Sequence, residues 1–151
     1  MQNLVSWLEA RRHLCFEVLR MYLGAGLFMK GVLFASDPES LSGWARNGSL
    51  DASIAILAHY IVLAHLVGGA MLAAGLLTRV AAAVNVPILI GAVVFVHGSD
   101  GLFTRAQGLE FTLFVLFALV LMVWHGSGRW SLDYVLFVRP REQKQAQELL
   151  A

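Results

Sequence analysis

Four long stretches of this chain are too apolar to remain in water. Three of them hold 27, 20 and 18 consecutive residues without a formal charge, and the fourth holds 21 residues with only three charges. About 20 helical residues cross the hydrocarbon core of a bilayer, and backbone in lipid must satisfy its own hydrogen bonds, so each stretch predicts a transmembrane helix. The stretches cover residues 52–78, 80–99, 111–128 and, with the charges, 15–35.

The composition agrees with an integral membrane protein. Of the 151 residues, 58% are hydrophobic and 14% are charged, and the mean hydropathy is +0.70. This length favours one compact unit, so we expect an all-α four-helix bundle within the membrane. Residues 1–13 predict an interfacial N-terminal segment, with a frayed terminus as the alternative. The expected parts are the segment 1–13, the bundle 14–127 with spans at about 14–35, 52–77, 80–98 and 109–125, and a tail over 128–151.

The basic residues outside the spans are distributed unequally. Seven lie in the N-terminal segment, the second break and the C-terminal tail, against two in the other loops. Because loops rich in Lys and Arg stay in the cytoplasm, this bias predicts that both chain ends face the cytoplasm at a bacterial inner membrane. The seven are Arg11, Arg12, Arg79, Arg129, Arg139, Arg141 and Lys144, and the two are Arg46 and Arg105.

Several classes of function find no support in the sequence. A net charge of +1 gives no basis for nucleic-acid binding. The single cysteine, Cys15, excludes an internal disulfide and a CxxC redox pair. We expect no metal site, and no cleavable signal peptide because Glu17 and Arg20 interrupt the first apolar stretch.

Glycines predict where the spans approach one another. Gly24 and Gly31 are seven residues apart on the first span, and Gly68 and Gly75 are seven apart on the second. Seven residues are nearly two helical turns, so each pair is expected to share a face where backbones approach closely. The alternative is that glycine is simply common in membrane helices.

Ionisable residues inside the spans are the best candidates for a site. Each costs about 2.5–3.5 kcal/mol at the centre of a bilayer, so it should face protein or water and have a partner. We expect an ion pair between Lys30 and Glu110, which could equally serve only to hold the bundle together. Arg20 could alternatively extend to the interface. The predicted outer layer is Lys30, His59, His97 and Glu110, and the inner layer is Glu17, Arg20, Arg79, His125, Arg129 and Asp133.

His65 is the sharpest single candidate, because the topology places it near the middle of the bilayer. A neutral imidazole there can relay a proton, bind a quinone carbonyl or ligate haem. Haem needs a second ligand at the same depth, which His65 lacks, while His59 and His97 match each other better in depth. Haem is therefore not expected, and a satisfied hydrogen bond between helices is the alternative for His65.

The end of the fourth span carries a compact polar element, GSGRWSLD, at residues 126–133. Its glycines permit a sharp exit from the helix. Arg129 can reach lipid phosphates or the carbonyls at the helix end. Ser131 or Asp133 can cap a following short helix. The element therefore predicts either a topology anchor or a ligand contact.

The succession of these motifs resembles the DoxX family of small four-helix bacterial membrane proteins. The resemblance covers about residues 16–135 and rests on RMYLGAGLFMKG at 20–31, AHLVGGAMLAAGLLTRVAA at 64–82, Glu110 and the closing element. Many relatives are expected to have an acidic residue where this chain has His65. The positions matching the family pattern are Arg20, Lys30, Gly69, Gly75, Arg79, Glu110, Gly128, Arg129, Ser131 and Asp133.

The resemblance implies a membrane subunit or accessory of a quinone-linked oxidoreductase system. Any electron-carrying cofactor would then be bound quinone, haem or a group on a partner oxidoreductase subunit. Two alternatives remain open: a structural or assembly protein without catalysis, and a small transporter whose homo-oligomer encloses a pathway. Membrane lipids are expected contacts in every case.

Overall fold

The computed structural model describes residues 2–37, 51–98, 107–126, 128 and 131–148. Side chains are described for residues 14–37, 56–98, 107–126, 128, 131–136, 139–141, 143, 145 and 147. Within these residues the protein is helical and contains no β-strand, which confirms the all-α class. The α-helices are α1 Gln2–Ser36, α2 Asp51–Leu63, α3 Gly69–Ala74, α4 Thr78–Gly91, α5 Gly108–His125 and α6 Arg139–Glu148.

Three short π-helical segments continue these α-helices. Ala64–Gly68 joins α2 to α3, Ala92–Val96 extends α4, and Tyr134–Val138 precedes α6. Among the described residues, four helical stretches are long and apolar enough to cross a membrane, which confirms the predicted bundle of four spans. They are span one Leu14–Ser36, span two Ile56–Ala74, span three Thr78–Val96 and span four Gly108–His125.

The N-terminal segment belongs to the same helix as span one. Residues 2–13 and the span form one continuous helix, α1, of 35 residues. The sequence offers a reason, because no glycine or proline stands before Gly24 to interrupt the backbone.

A Schellman motif ends span two. Gly75 is left-handed, with φ of 72°, and its N–H donates to the Leu72 carbonyl at 3.2 Å. The Leu76 N–H donates to the Met71 carbonyl at 2.8 Å, which completes the motif. Span three begins at Thr78, so this turn sets how closely the two helices run.

Spans one and two approach each other backbone to backbone. A Cβ on Gly24 would overlap the backbone of Ala73 and lie 2.8 Å from the Gly69 carbonyl oxygen. A Cβ on Gly31 would lie 2.7 Å from the Leu66 nitrogen. Gly24 and Gly31 therefore share the face predicted for them, where Gly24 meets Gly69 and Ala73 and Gly31 meets Leu66.

The two other predicted glycines do not act as a pair. Gly68 faces span three, where a Cβ would lie 2.5 Å from the Asn85 amide nitrogen. Gly75 has left the helix altogether and lies in the turn. A spacing of seven residues brings two positions to one face only while the helix is regular, and here a π-helical segment and a helix end intervene.

Asn85 links span three to the π-helical segment of span two. Its side chain is fully buried, and its Nδ2 donates to the carbonyls of Ala64 at 3.1 Å and Ala81 at 2.9 Å. The first of these bonds joins the two spans, and the second stays within span three. A buried amide with two such partners fixes the relative rotation of the spans.

Spans three and four pack closely and complete the apolar core. Span one contributes Leu23 and Leu27 to the same core. The buried apolar residues are Leu23, Leu27, Leu72, Ala81, Ala82, Leu89, Val115, Ala118, Leu119 and Met122.

Orientation in the membrane stays a prediction that topology reporters can test. We expect a green fluorescent protein fused before residue 1 or after residue 151 to fluoresce, because seven basic residues favour the cytoplasm on that side. Alkaline phosphatase inserted between spans one and two should be active, since that loop would lie outside. Phosphatase activity at either chain end would contradict the assignment.

Candidate functional site

Five polar side chains lie together where spans one, two and three meet the C-terminal segment. We call this cluster the charged end; it comprises Glu17, Arg20, Thr78, Ser131 and Asp133. The first four are buried, with exposed fractions of 2%, 1%, 1% and 4%. Burial of ionised groups is tolerated only with partners, so their contacts decide what this end can do.

Arg20 is the centre of the charged end. Both Glu17 and Asp133 lie close enough to act on its guanidinium electrostatically. The guanidinium lies against Gly75, where a Cβ would overlap it and would also come within 2.7 Å of the Ser131 Cβ. Glycine is required at this turn both by its left-handed backbone and by the arginine that passes over it.

Asp133 caps the beginning of span three from 56 residues away in the sequence. Its carboxylate accepts the N–H of Leu77 at 2.7 Å and the N–H of Thr78 at 3.1 Å, and the Thr78 hydroxyl lies at 3.4 Å. Its own N–H donates to the Gly75 carbonyl at 3.1 Å. The positive end of a helix is thereby neutralised by a carboxylate from the C-terminal segment.

Ser131 and Asp133 were the two candidates to cap the short helix that follows, and Ser131 is the residue that does so. Its hydroxyl accepts the Tyr134 N–H at 3.1 Å and donates to the Gly128 carbonyl at 2.8 Å. Gly128 is left-handed, and a Cβ there would lie 3.1 Å from Glu17 Oε1. The closing element is therefore folded back onto span one.

Arg79 is exposed, and its Nη2 lies 3.4 Å from the Trp124 carbonyl at the end of span four. That position suits a cation near a helix C-terminus. His125 stacks on Phe16, with ring centroids 4.4 Å apart. Arg129, the remaining predicted residue of this side, lies outside the described residues.

Toward the other end of span one, Lys30 does not make the ion pair that we expected. Its side chain is exposed, and Nζ lies 5.0 Å from the centroid of the Phe34 ring, one turn along the same helix. Among the described residues Lys30 has no carboxylate partner, so the predicted pair with Glu110 is wrong. A long lysine side chain near a helix end can extend along the surface, and an aromatic face offers a weaker substitute partner.

His65 is buried beside this lysine, with 5% of its surface exposed. Its Nδ1 lies 2.9 Å from the Ile61 carbonyl of its own helix, so the hydrogen bond is not the interhelical one that we considered. The Phe34 ring meets the imidazole edge to face, with centroids 5.6 Å apart. Lys30, Phe34 and His65 thus form one group, which we call the Lys30 cluster, between spans one and two.

The other residues of the predicted outer layer are His59, His97 and Glu110, on spans two, three and four. His59 is exposed on span two, six residues before His65. The His97 ring lies against the start of span four, where a Cβ on Gly108 would come within 2.8 Å of it. Glu110 is half-buried in the first turn of span four. Of the predicted candidates, Lys30 and His65 are brought together at this end by their shared contact with Phe34.

Comparison with known proteins identifies the family. A sequence model described as DoxX matches residues 16–98, which is more than half of the chain. The chain belongs to the DoxX family. The matched region contains the Lys30 cluster, Arg20 and Arg79, whereas Glu110 and the closing element lie beyond it.

A bacterial relative supports the assignment to the membrane, and its description names no activity. This DoxX protein is similar to an uncharacterized membrane protein of Mycobacterium tuberculosis, with 35% identity over 78 residues, covering 45% of this chain and 48% of the relative. The chain thus aligns with about half the length of that curated relative. No solved structure matches the chain. The family, the relative and the four spans make this a multi-pass bacterial membrane protein.

Two residues of these clusters, Phe34 and Thr78, were not among the predicted site residues. In the sequence, Phe34 is one of many apolar residues in the first stretch, and Thr78 is the last residue of the second stretch. Phe34 lies four residues after Lys30, so the two residues share one helical face. That spacing alone does not distinguish Phe34 from the other apolar residues of the span.

The two clusters differ in what they can do chemically. At the charged end the acids, the arginine and the helix terminus engage one another, and the arrangement stabilises the fold. At the Lys30 cluster an ammonium, which has no carboxylate partner among the described residues, and a buried imidazole lie beside an aromatic ring within a span. A polar ligand that reaches this place from lipid would find both a donor and a ring to contact.

Proposed function

We propose that this DoxX protein is a quinone-binding subunit or accessory of a membrane oxidoreductase system. The observation that supports this most is the Lys30 cluster, because it offers polar groups to a ligand that arrives through the hydrocarbon core. The quinone of such a system takes up two electrons and two protons at one membrane enzyme, becomes the quinol, and releases them at another. The electron-transfer centre would belong to the partner oxidoreductase.

The donor groups fit a quinone head group. The Lys30 ammonium has three N–H donors for a ring oxygen, and the Phe34 ring offers an apolar surface on which a flat head group can pack. The imidazole of His65 is held at a fixed position by Ile61. The isoprenoid tail would remain among the exposed apolar side chains of the spans, where lipid is expected.

Retention of quinone during purification tests this proposal. We expect the wild-type protein, isolated in mild detergent, to retain extractable quinone and quinol, and Lys30→Ala or His65→Ala to retain about tenfold less of the two forms together. Lys30→Ala removes a donor to the ring oxygens, and His65→Ala removes a group that can hydrogen-bond the reduced form. The quantity is measured by solvent extraction and chromatography, per mole of protein. His59→Ala is the matched control, because it removes an exposed imidazole six residues away on the same span.

Two results would count against the proposal. One is wild-type protein that neither retains quinone nor binds an added short-chain quinone in lipid nanodiscs. The other is retention that the Lys30 and His65 variants leave at the level of the His59 control. A partner that copurifies with the wild type would supply the oxidoreductase part of the proposal.

A structural or assembly role is the second candidate, and the charged end favours it. There the charged groups contact the chain itself, and Asp133 ties the C-terminal segment to span three through Leu77 and Thr78. If substitutions at the Lys30 cluster alter neither quinone retention nor copurifying partners, while those at the charged end lower stability, this role is the better description.

A further inference from the structure

The protonation of His65 is fixed by the backbone around it. A carbonyl oxygen only accepts hydrogen bonds, so the imidazole Nδ1 that lies 2.9 Å from the Ile61 carbonyl must carry the proton. In a neutral imidazole the other nitrogen, Nε2, then has a lone pair and acts as an acceptor. Within the described part of the chain, Nε2 makes no hydrogen bond.

The surroundings of the ring keep it in this form. His65 lies in the π-helical segment Ala64–Gly68, whose backbone at Leu66 is in close contact with Gly31 of span one. The Lys30 ammonium lies over the same Phe34 ring that the imidazole meets edge to face. A π-helical segment inside a span is a frequent mark of a binding site.

We propose that the Lys30 cluster binds the reduced ligand, a quinol, in preference to the oxidised quinone. This inference rests on the proposed function and names the ligand form that His65 selects. A quinol hydroxyl can donate to the lone pair of Nε2. A quinone has only carbonyl oxygens, whose lone pairs would face the lone pair of Nε2.

Exchange of the proton between the two ring nitrogens does not remove this selectivity. With the proton on Nε2, the imidazole could donate to a quinone carbonyl. Nδ1 would then present a lone pair to the Ile61 carbonyl at 2.9 Å, and the hydrogen bond there would be lost. Losing a buried hydrogen bond while bringing two acceptors together is unfavourable, so the oxidised form remains the weaker ligand.

Lys30 and His65 therefore have separable roles. The ammonium donates, and both the hydroxyl oxygen of a quinol and the carbonyl oxygen of a quinone accept, so Lys30 raises the affinity of both forms. His65 accepts, and only the quinol donates, so His65 decides between them. Affinity and selectivity should respond to different substitutions.

Binding of decylubiquinol and decylubiquinone to the full chain in lipid nanodiscs tests this assignment. At about pH 8, where an ordinary imidazole is neutral, we expect the wild type to bind the quinol about tenfold more tightly. In His65→Gln the side-chain amide can turn to donate or accept, so the ratio should fall to about one. Lys30→Ala should weaken both ligands and keep the ratio, and His59→Gln should change neither.

Each outcome has a distinct meaning. Equal affinities of the wild type for the two forms overturn the selectivity of His65 and leave quinone binding intact. No binding of either form overturns the proposed function as well. An independent measurement covers the case in which His65→Gln does not fold: nitrogen NMR of histidine-labelled wild type should show the proton on Nδ1, and a proton on Nε2 overturns the inference.

Discussion

Gly24→Val should yield little folded protein, and what does fold should unfold at a much lower temperature. The first added carbon alone would overlap the backbone of Ala73 and lie 2.8 Å from the Gly69 oxygen. No side chain can turn aside there, because both neighbours are backbone. Overfilling a packed interior costs about 1–3 kcal/mol even where side chains can shift, so spans one and two must separate or lose more than that.

Gly26→Val is the matched control for this prediction. Gly26 lies two residues further along the same helix, and a Cβ there meets nothing within 4 Å. Size-exclusion profiles and thermal unfolding in detergent should separate the two variants clearly, with Gly26→Val close to the wild type. Equal unfolding temperatures for the two variants would show that the close approach of the two spans does not stabilise the fold.

The existence of the four spans could be predicted from the sequence, whereas their contacts could not. A run of 18 or more uncharged residues identifies a membrane helix because lipid excludes charge and unpaired backbone. The rotation of each helix about its axis is a different matter. In lipid the outer face is as apolar as the inner one, so no hydrophobic stripe marks the side that packs.

Lys30 and Asp133 illustrate the consequence for the site. A rule that intramembrane charges seek partners predicted a pair for Lys30 with Glu110, but the flexible lysine lies over Phe34 instead. Asp133 was one of two residues expected to cap the short helix that follows the closing element, and it caps span three from 56 residues away. Contacts between distant segments depend on where turns place them, which spacing along one helix does not encode.

His65 shows what local sequence information can still provide. Its depth in the second apolar stretch singled it out among five histidines, and the structure finds it buried while His59 is exposed. What the sequence could not provide is the π-helical backbone at Ala64–Gly68 and the direction of the ring, and these decide which nitrogen is an acceptor.

Arg20→Met is expected to be among the most destabilising substitutions of a single side chain. Arg20 is 1% exposed and carries the positive charge between Glu17 and Asp133. Removing that charge leaves the buried Glu17 carboxylate without its main compensation, and breaking one side of a buried charge pair costs about 3–5 kcal/mol. The free energy of unfolding, measured by titration with a denaturing detergent, should fall by about this amount.

The double variant Glu17→Met/Arg20→Met separates charge from packing. With both charges replaced by apolar side chains of similar length, no uncompensated carboxylate remains at that position, so the double variant should be more stable than Arg20→Met alone. Arg79→Met, which removes an exposed arginine at the same end, should change the free energy of unfolding by about 0.5 kcal/mol or less. The alternative outcome is that the losses of unfolding free energy in Glu17→Met and Arg20→Met simply add in the double variant, in which case the two residues act independently. The charged end would then be held by shape and by the Asp133 cap rather than by its buried charges.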